Sequence, residues 1–320
     1  FNADGLWNVK EESQHTREIT NGETENNVNT FNKNNGTLYA TKLIVSYPLW
    51  KGNLSFGGEY SHTSRTNLYH NQEGILDNDD SKIKEGSTAA FMDYSHSFGK
   101  VDVQAGVRYE NVKFDYYEQG KHIDEQSRTF NNVFPSVNIN FSIGKTQIQL
   151  SYSGGITRPS YDMLRGNIYY GNRYTYQTGN PFLKPIINQD LIFSASYKWV
   201  NFSFTYNRTK DDIIQVCEPY SEADPTISLL KTVNTEPYNN IISAITLSPT
   251  ISWWSPQLTA QVFKQWLHAE GPDGKLTLSK PRTIIVWRNS FTLPAGFLFD
   301  VDGTYYTKGH SQNKIGRAHV

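Results

Sequence analysis

Long apolar runs are absent from this sequence of 320 residues. Hydrophobic residues make up 37% of the chain, and the mean hydropathy is −0.59. No segment approaches the about 18 to 20 consecutive apolar residues that a membrane-spanning helix needs, which excludes a helical membrane protein. A transmembrane β-barrel is not excluded, because every second residue of its strands faces water or a polar lumen.

Cysteine and an excess of charge of either sign are also lacking. The single cysteine, Cys217, has no second thiol with which to form a disulfide, a zinc site or a redox pair, so we expect a small packed side chain. The 30 basic and 31 acidic residues are interspersed and give a net charge of −1, so no basic stripe points to nucleic acid as a partner. The 8 histidines lack the short paired spacing of a zinc site.

Aromatic residues and strict alternation are what the sequence has instead. Aromatics are 14% of the chain, with 20 Tyr, 17 Phe and 7 Trp. Apolar and polar residues alternate over residues 137–143, Gly144 and Lys145 turn the chain, and the alternation resumes over residues 147–152. This pattern predicts a β-hairpin with one apolar and one polar face. A wall strand with lipid on one side and a strand packed on a soluble core share the pattern, so the hairpin alone does not choose between them.

The connections between successive predicted strands alternate between very short and long. The chain reads as about thirteen strands, and a long polar connection falls between each pair of short ones. The short connections are residues 48–52, 99–100, 144–145, 199–201, 253–256 and 294–296. This ordering predicts an all-β, antiparallel, up-and-down transmembrane barrel with tight turns on one side and long loops on the other, whereas Greek-key crossovers in a sandwich would not produce it. We expect the barrel to be incomplete, as an open sheet with two free edges.

Aromatic residues lie near both ends of the predicted strands. An outer-membrane barrel places such rings in two girdles at the membrane interfaces, whereas a soluble β-protein would use them as core residues. The residues near the short turns are Trp50, Phe98, Trp199, Trp253 and Trp254, and those toward the loops are Tyr60, Tyr109, Tyr116, Tyr117, Tyr152 and Tyr206.

Two polar segments early in the chain lack clear alternation. Residues 21–35 are rich in Asn, Thr and Glu and predict a loop. Residues 69–82 carry Asp77, Asp79 and Asp80 and predict a second, solvated loop. Their spacing is not that of an EF-hand, so they predict no calcium site.

Several motifs resemble those of the outer-membrane β-barrel family related to TonB-dependent receptors. They are residues 74–77, 98–101 with 106–110, 157–161 and 172–185, and the Arg158-Pro159 pair and the Gly-Asn-Pro-Phe-Leu-Lys-Pro run of residues 179–185 are the most specific. The resemblance covers nearly all of the chain up to Lys314. It implies a barrel of ~22 strands in the lipid of the Gram-negative outer membrane, filled by an N-terminal plug domain and energised by a TonB-type complex.

The ends of the sequence shape the expected domain organisation. The sequence shows no plug domain and no TonB box, and no methionine or signal peptide precedes Phe1, so we expect a middle-to-late barrel fragment. Residues 315–320 resemble a translated sequencing adapter and are expected to be a non-native tail. The predicted division is therefore a partial outer-membrane barrel over residues 1–314 and a tail over residues 315–320.

The loop between Arg158 and Lys184 has the densest functional chemistry. Tyrosine and arginine offer stacking surfaces and forked donors suited to sugars, peptides or chelated ligands. The alternative is that the tyrosines pack the loop on itself. The predicted substrate-binding residues are Tyr161, Arg165, Asn167, Tyr169, Tyr170, Arg173, Tyr174, Tyr176 and Asn180.

The sequence therefore predicts an outer-membrane transport receptor that binds an extracellular substrate with its loops and imports it with TonB-derived energy. A passive porin or a surface-binding barrel is the alternative. An outer-membrane enzyme is a third class, but no nucleophile motif accompanies His62, His96, His122 or His268, so we expect neither catalysis nor a cofactor.

Overall fold

A computed structural model describes residues 1–20, 23–223, 225–271 and 274–310. Within these residues the chain forms twenty strands and three 3₁₀ turns, the latter at Asp124–Gln126, Tyr161–Leu164 and Pro294–Gly296. The strands are β1 (Asn2–Thr20), β2 (Glu23–Leu49), β3 (Gly52–Asn71), β4 (Asp79–Phe98), β5 (Val101–Glu118), β6 (Lys121–His122), β7 (Arg128–Ile143), β8 (Thr146–Thr157), β9 (Ile168–Asn172), β10 (Thr175–Thr178), β11 (Ile186–Tyr197), β12 (Val200–Lys210), β13 (Ile213–Pro219), β14 (Ser228–Asn234), β15 (Tyr238–Leu247), β16 (Trp254–Gln265), β17 (Leu267–Gly271), β18 (Gly274–Leu278), β19 (Arg282–Thr292) and β20 (Leu298–Tyr306).

One large antiparallel sheet contains fourteen of these strands. Its order is β1-β2-β3-β4-β5-β7-β8-β11-β12-β15-β16-β19-β20, with the short β6 paired to β5. Each wall strand pairs with the next wall strand along the chain, as an up-and-down barrel requires. Within the described chain, β1 and β20 do not pair with each other, so the sheet is open. The prediction of an incomplete all-β barrel with about thirteen wall strands is confirmed.

The two faces of the sheet differ in polarity, and strand pairing keeps them in register. We call the face that carries Asp102, Gln104 and Arg108 of β5 the inner face, and the opposite one the outer face. On the outer face a row of apolar residues crosses six strands through directly paired positions. The row is Ala105, Val137, Tyr152, Leu191, Tyr206 and Ile241.

Tight turns lie at one end of the sheet, as predicted. Trp50 and Lys51 both have positive φ between β2 and β3, at 48° and 65°. Gly99 and Gly144 have φ values of 66° and 60° in the next two turns, where glycine takes the left-handed region without steric cost. Exposed Trp50, Phe98, Trp199 and Trp253 form an aromatic rim at this end.

The first five strands in the order of the large sheet are much longer than its last seven. The first five have 18 to 27 residues, whereas β8, β11, β12, β15, β16, β19 and β20 have 9 to 12. A tilted transmembrane strand needs about 9 to 11 residues, so β1–β5 extend well beyond the membrane at the long-loop end.

These extensions correct two sequence predictions. The loop predicted over residues 21–35 is wrong from Glu23 onward, because β2 pairs there with β1. The predicted loop over residues 69–82 is limited to its middle, since β3 ends at Asn71 and β4 begins at Asp79. Beyond the membrane both faces of a strand can be polar, so the alternation that identifies wall strands is lost there.

One predicted girdle residue and the predicted tail need separate comment. Tyr116 is only 1% exposed and lies on the inner face, so its assignment to an interfacial girdle is wrong. The tail predicted over residues 315–320 lies outside the described residues. Among the residues that are described, no helix is long and apolar enough to cross a membrane.

Candidate functional site

Two long connections at the end opposite the tight turns form a sheet of their own. Residues 158–185, between β8 and β11, supply β9 and β10, and residues 211–237, between β12 and β15, supply β13 and β14. β10 and β14 pair in parallel from Thr175–Ser228 to Thr178–Lys231, which joins the two connections. The sheet order is β13-β14-β10-β9. We call the described residues of both connections the loop layer.

The loop layer packs onto the inner face of β4 and β5. Phe114 and Tyr116 occupy the same face of β5 as Arg108, because they are separated from it by even numbers of residues. The buried residues of this contact are Ile83, Phe114, Tyr116, Leu164 and Leu183. Residues 158–185 therefore fold inward over the wall.

A second contact joins the loop layer to the extended ends of β1 and β2. Tyr170 and Tyr176 are buried in one cluster with Val28 and Leu76. The Tyr170 hydroxyl donates a hydrogen bond to Glu18 Oε1 at 2.6 Å. Burial, helped by this carboxylate, raises the pKa of Tyr170. The phenol therefore stays protonated and keeps this hydrogen bond at neutral pH.

A row of alternating charges marks the lower border of the loop layer. Arg108 lies between two carboxylates, with Nη1 at 3.2 Å from Glu59 Oε2 and Nη2 at 3.0 Å from Glu110 Oε2. Arg158, the first residue of the loop layer, pairs with Glu110 and lies 3.7 Å from Glu85. The Glu110 side chain is only 4% exposed, and the guanidinium groups of Arg108 and Arg158 are the positive charges paired with it.

Arg165 holds the middle of the loop layer against the wall. The residue is 7% exposed, and its Nη2 donates to Asn34 Oδ1 of β2 at 3.2 Å. The same guanidinium contacts the Asp162 carboxylate and the Tyr169 hydroxyl. The Asp162 carboxylate also forms an ion pair with Arg65 of β3, with 3.0 Å between Oδ1 and Nη2. The Arg165 guanidinium thus binds Asn34, Asp162 and Tyr169, and these contacts give the side chain a structural role in the loop layer.

Part of the interface between loop layer and wall is polar and buried. Asp79 Oδ2 accepts hydrogen bonds from Asn67 Nδ2 at 2.8 Å and from Ser81 Oγ at 2.9 Å. Burial raises the pKa of Asp79 despite these bonds. The side-chain oxygen of Asn67, Oδ1, is buried with no hydrogen-bond partner among the described residues. A polar interface of this kind loses less by opening to water than an apolar one does.

The nine predicted binding residues fall into three groups. Arg165, Tyr170 and Tyr176 are buried anchors, and Tyr161, Asn167, Tyr169 and Asn180 are partly buried within the loop layer. Tyr174 is 53% exposed, and the Arg173 guanidinium lies over its ring at 4.6 Å from the centroid. The pair Arg173–Tyr174 is therefore the part of the predicted set that presents the most ring surface to solvent.

The sequence analysis did not identify Arg128 and Asn234, two residues outside the segment 158–185 that bind its backbone. Arg128 of β7 donates to the carbonyl oxygens of Phe182 at 2.7 Å and Leu183 at 3.2 Å. Asn234 accepts from the Lys184 amide at 2.8 Å. Arg128 is 54 residues distant from Phe182 along the chain, so nothing in the local sequence pattern signals this contact.

The described residues offer no cluster suited to a resident metal ion. No three His, Cys, Asp or Glu side chains of that part of the chain lie together as ligands would. Asp79 and Asp80 occupy opposite faces at the start of β4, with Asp79 buried and Asp80 exposed. Cys217 is a free, partly buried thiol in β13.

Comparison with known proteins agrees with this architecture. A sequence profile described as "Outer membrane protein beta-barrel family" matches residues 1–318. No curated protein sequence matches the chain.

Solved structures of outer-membrane barrels are similar in fold. The FrpB iron transporter from Neisseria meningitidis (F3-3 variant) is 13% identical with a TM-score of 0.56, and the match covers 96% of this chain and 48% of that one. The copper transporter OprC is 11% identical with a TM-score of 0.59, covering 94% and 53%. The Serratia marcescens hemophore receptor HasR, solved with its hemophore HasA and heme, is 10% identical with a TM-score of 0.51, covering 95% and 62%. The chain thus spans about half the length of the first two structures.

Proposed function

The chain belongs to the outer membrane protein β-barrel family, and from that premise we propose that it forms barrel wall of a transport receptor. The receptor captures a substrate at its outer loops and imports it with energy supplied through TonB. The observation that carries the proposal is the loop layer, which packs on the inner face of the extended strands at the long-loop end. In outer-membrane barrels that end faces the exterior, so the loop layer lies where a substrate first arrives.

The fixed packing of the loop layer against the wall supports capture rather than free passage. Buried contacts at Ile83, Phe114 and Leu183 hold it in one arrangement across the wall. A preorganised surface loses less conformational entropy when a ligand binds. A passive pore needs only a hydrated constriction, which would not require two connections to be paired into one sheet.

The direct contacts in this proposal come from Arg173 and Tyr174, while Arg165, Tyr170 and Tyr176 support the surface from beneath. A guanidinium stacked on a phenol ring offers both a forked donor and a flat apolar face. Iron, copper and heme appear in the descriptions of the structural neighbours, so metal-bearing ligands form the first substrate panel. These neighbours are described as transporters and receptors, which favours transport over catalysis.

The proposal can be tested with the full-length gene in a host that lacks it. Labelled ferric siderophores, heme and copper are offered to cells with and without TonB, and surface binding is separated from accumulation. We expect accumulation of at least one ligand only when TonB is present, and binding in both cases. Replacing Arg173 and Tyr174 together by Ala should weaken binding at least about tenfold.

The chain offers a matched control for that double variant. Arg282 of β19 lies over the ring of Tyr306 of β20, 4.9 Å from the ring centroid. This pair has the same two residue types, Arg and Tyr, but its strands are at the far edge of the large sheet. The variant R282A/Y306A should leave binding unchanged. Uptake that is equal without TonB, together with stable open conductance of the purified protein in planar bilayers, would instead establish a passive porin.

A further inference from the structure

Arg128 of β7 is bound only by neutral groups among the described residues. Its Nη atoms donate to the carbonyl oxygens of Pro181, Phe182 and Leu183. Its third nitrogen, Nε, is buried and has no hydrogen-bond partner in the described part of the chain. Burial lowers the pKa of Arg128, as expected for a cation moved out of water, but an arginine stays protonated at neutral pH all the same. The guanidinium therefore keeps a full charge and one N–H donor for a further ligand.

Three carboxylates on the inner face near Arg128 are each matched by another cation. The pairs, with N–O distances of 3.7, 3.0 and 3.7 Å, are Lys42–Glu59, Arg108–Glu110 and Arg158–Glu85. Arg128 is a fourth cation and belongs to none of these pairs. Glu85 pairs with Phe114 of β5 and Phe114 with Arg128, so the backbones of Glu85 and Arg128 are about 10 Å apart. The excess positive charge of this part of the wall therefore rests on Arg128.

A small cavity lies beside Arg128, between the wall and residues 158–185. Its charged lining groups are Arg128, Arg158 and Glu85, and the rest of its lining is apolar, in part the buried ring of Phe114. The space measures about 20 Å³, which is room for a single group of the size of a water molecule. Arg158 also has a buried Nε without a hydrogen bond to any described residue. Both arginines that line the cavity thus have a buried N–H donor to spare.

We propose that this cavity binds a single chloride ion through the N–H groups of Arg128 and Arg158. A partly buried cation gains from an anion that neutralises it, and an N–H donor on a charged group forms the stronger kind of hydrogen bond. A monatomic anion fits a space of about 20 Å³, whereas phosphate, sulfate and carboxylate groups each bring several heavy atoms. The apolar lining offers few further donors, which suits an ion that needs no more than a few.

Glu85 is the group that opposes an anion in this cavity. Its carboxylate belongs to the lining, and its nearest described cation is Arg158. Burial raises the pKa of Glu85, and this lowers its average negative charge. Repulsion from the remaining charge limits the affinity, so chloride is expected to bind in the millimolar range.

The bound ion would strengthen the contact between the wall and the loop layer. Arg128 holds the backbone of residues 181–183, and chloride would neutralise this guanidinium without replacing its carbonyl partners. The site is reachable from water, because Phe114, the partner of Arg128, lies thirteen residues beyond Val101 on β5. This is a rise of roughly 33 Å at a tilt of about 40°, above an apolar band about 25 Å tall. The site does not depend on the proposed transport function.

The test uses the full-length protein in detergent, with sodium chloride exchanged for sodium isethionate at constant ionic strength. Isethionate has more heavy atoms than the cavity admits, and equal ionic strength keeps the screening of surface charges constant. Hydrogen exchange of residues 158–185 reports the opening of the loop layer. Crystals grown in sodium bromide locate the ion directly, because bromide scatters anomalously.

We expect exchange of residues 158–185 to slow about tenfold when chloride reaches about ten times its dissociation constant. A bromide peak should lie between β7 and the loop layer. The variant R128Q should lose the chloride dependence. The matched control is R288Q, which removes an exposed arginine of β19 near the far edge of the same sheet and should keep the wild-type dependence.

A second variant, E85Q, separates an anion site from a purely structural cluster. It removes the repelling carboxylate, so the chloride concentration that gives half of the effect should fall at least about threefold. An unchanged or higher half-point in E85Q would overturn the proposal, as would the absence of a bromide peak. Equal protection by isethionate and chloride would do the same, and so would an equal chloride response in R128Q and wild type. Should R128Q leave residues 158–185 unprotected in both salts, the bromide peak and the E85Q titration decide.

Discussion

The inner face of β5 changes character half-way along the strand, although its alternation does not change. In the lower part, Asp102 and Gln104 are exposed, as expected for a wet lumen. In the upper part, Val112 and Phe114 occupy the same face at 3% and 4% exposure. One strand thus carries both a hydrated surface and part of a hydrophobic core.

The difference between the two halves of β5 shows where the hydrophobic core of this protein lies. Wall strands of a barrel bury little by themselves, because one face meets lipid and the other meets water. Here the apolar core forms between the extended strands and the loop layer, and Glu110 with its two arginines lies at the border. The lower wall is therefore expected to tolerate polar changes that would detach the loop layer if made in the upper wall.

The sharpest way to break this comparison is to place a charge in the upper core. Phe114→Asp removes a buried ring that packs with Ile83, Tyr116 and Leu164. The new carboxylate lies opposite Arg128 of β7 and competes for the guanidinium that holds the carbonyl oxygens of the loop layer. We expect the packing of the loop layer to weaken by more than about 4 kcal/mol. Hydrogen exchange of residues 158–185 in the full-length protein should rise to the rate of an unprotected loop.

The matched change in the lower wall is Ser142→Asp, at an exposed inner-face position of β7. It should change the free energy of opening of the loop layer, measured by hydrogen exchange of residues 158–185, by less than about 0.5 kcal/mol. If both variants left the loop layer protected, the upper inner face would not be its main support.

The second prediction concerns the border itself. Glu110→Gln leaves Arg108 and Arg158 without their shared carboxylate, which should weaken the packing of the loop layer by about 2 kcal/mol. The figure is lower than for a fully buried pair, because both arginine side chains remain about one third exposed and are screened by water. The protection of residues 158–185 against hydrogen exchange measures this loss of packing free energy.

Asp102→Asn is the control for this border variant, since Asp102 lies on the same face and, within the described part of the chain, accepts one exposed side-chain hydrogen bond, from Ser97. It should change protection by less than about 0.5 kcal/mol. An equal loss in both variants would mean that net charge in the lumen, rather than the pairing at Glu110, supports the loop layer.

The sequence was sufficient for the wall because its signals are local. The hairpin over residues 137–152 and the turns at Gly99 and Gly144 depend on neighbours within a few positions, and they were confirmed. Alternation could also have located the core: Val112, Phe114 and Tyr116 continue the polar face of Arg108 with apolar residues. That switch predicts a cover on the inner face, although it does not identify residues 158–185 as the cover.

The loop layer could not be predicted, because its order comes from contacts that are distant in the chain. The parallel pairing of β10 with β14 joins segments about fifty residues apart, and neither segment alternates strongly. Composition could not separate anchors from exposed residues either: Tyr170 and Tyr174 have the same chemistry, and only the wall beneath Tyr170 makes it a buried anchor. The assignment of Arg173 and Tyr174 to a ligand stays a prediction.

The smallest expected effect is a pH dependence at Asp79, which lies in the upper wall beyond the membrane. Burial raises the pKa of Asp79 above its ordinary value of 3.8, so the packed state binds this proton more tightly than the detached state does. Packing is then strongest below pH 3.8 and weakens as the pH rises through the raised pKa. Asp79→Asn cannot titrate, and its amide oxygen can still accept from Asn67 and Ser81. We therefore expect D79N to protect the loop layer better at neutral pH by less than about 1 kcal/mol, and the difference should vanish toward pH 4.

Exchange of residues 158–185 at several pH values, corrected for the intrinsic rate, measures this difference. Asp93→Asn, on the inner face of the same strand in the lower wall, is the control and should show no pH-dependent gain. A variant D79N that protects less well at neutral pH would show that attraction between the Asp79 carboxylate and Arg165 outweighs the penalty of burying it. The polar part of the interface would then hold the loop layer as an ion pair does, and the contrast with the exposed charges of the lower wall would lie in pairing rather than in burial.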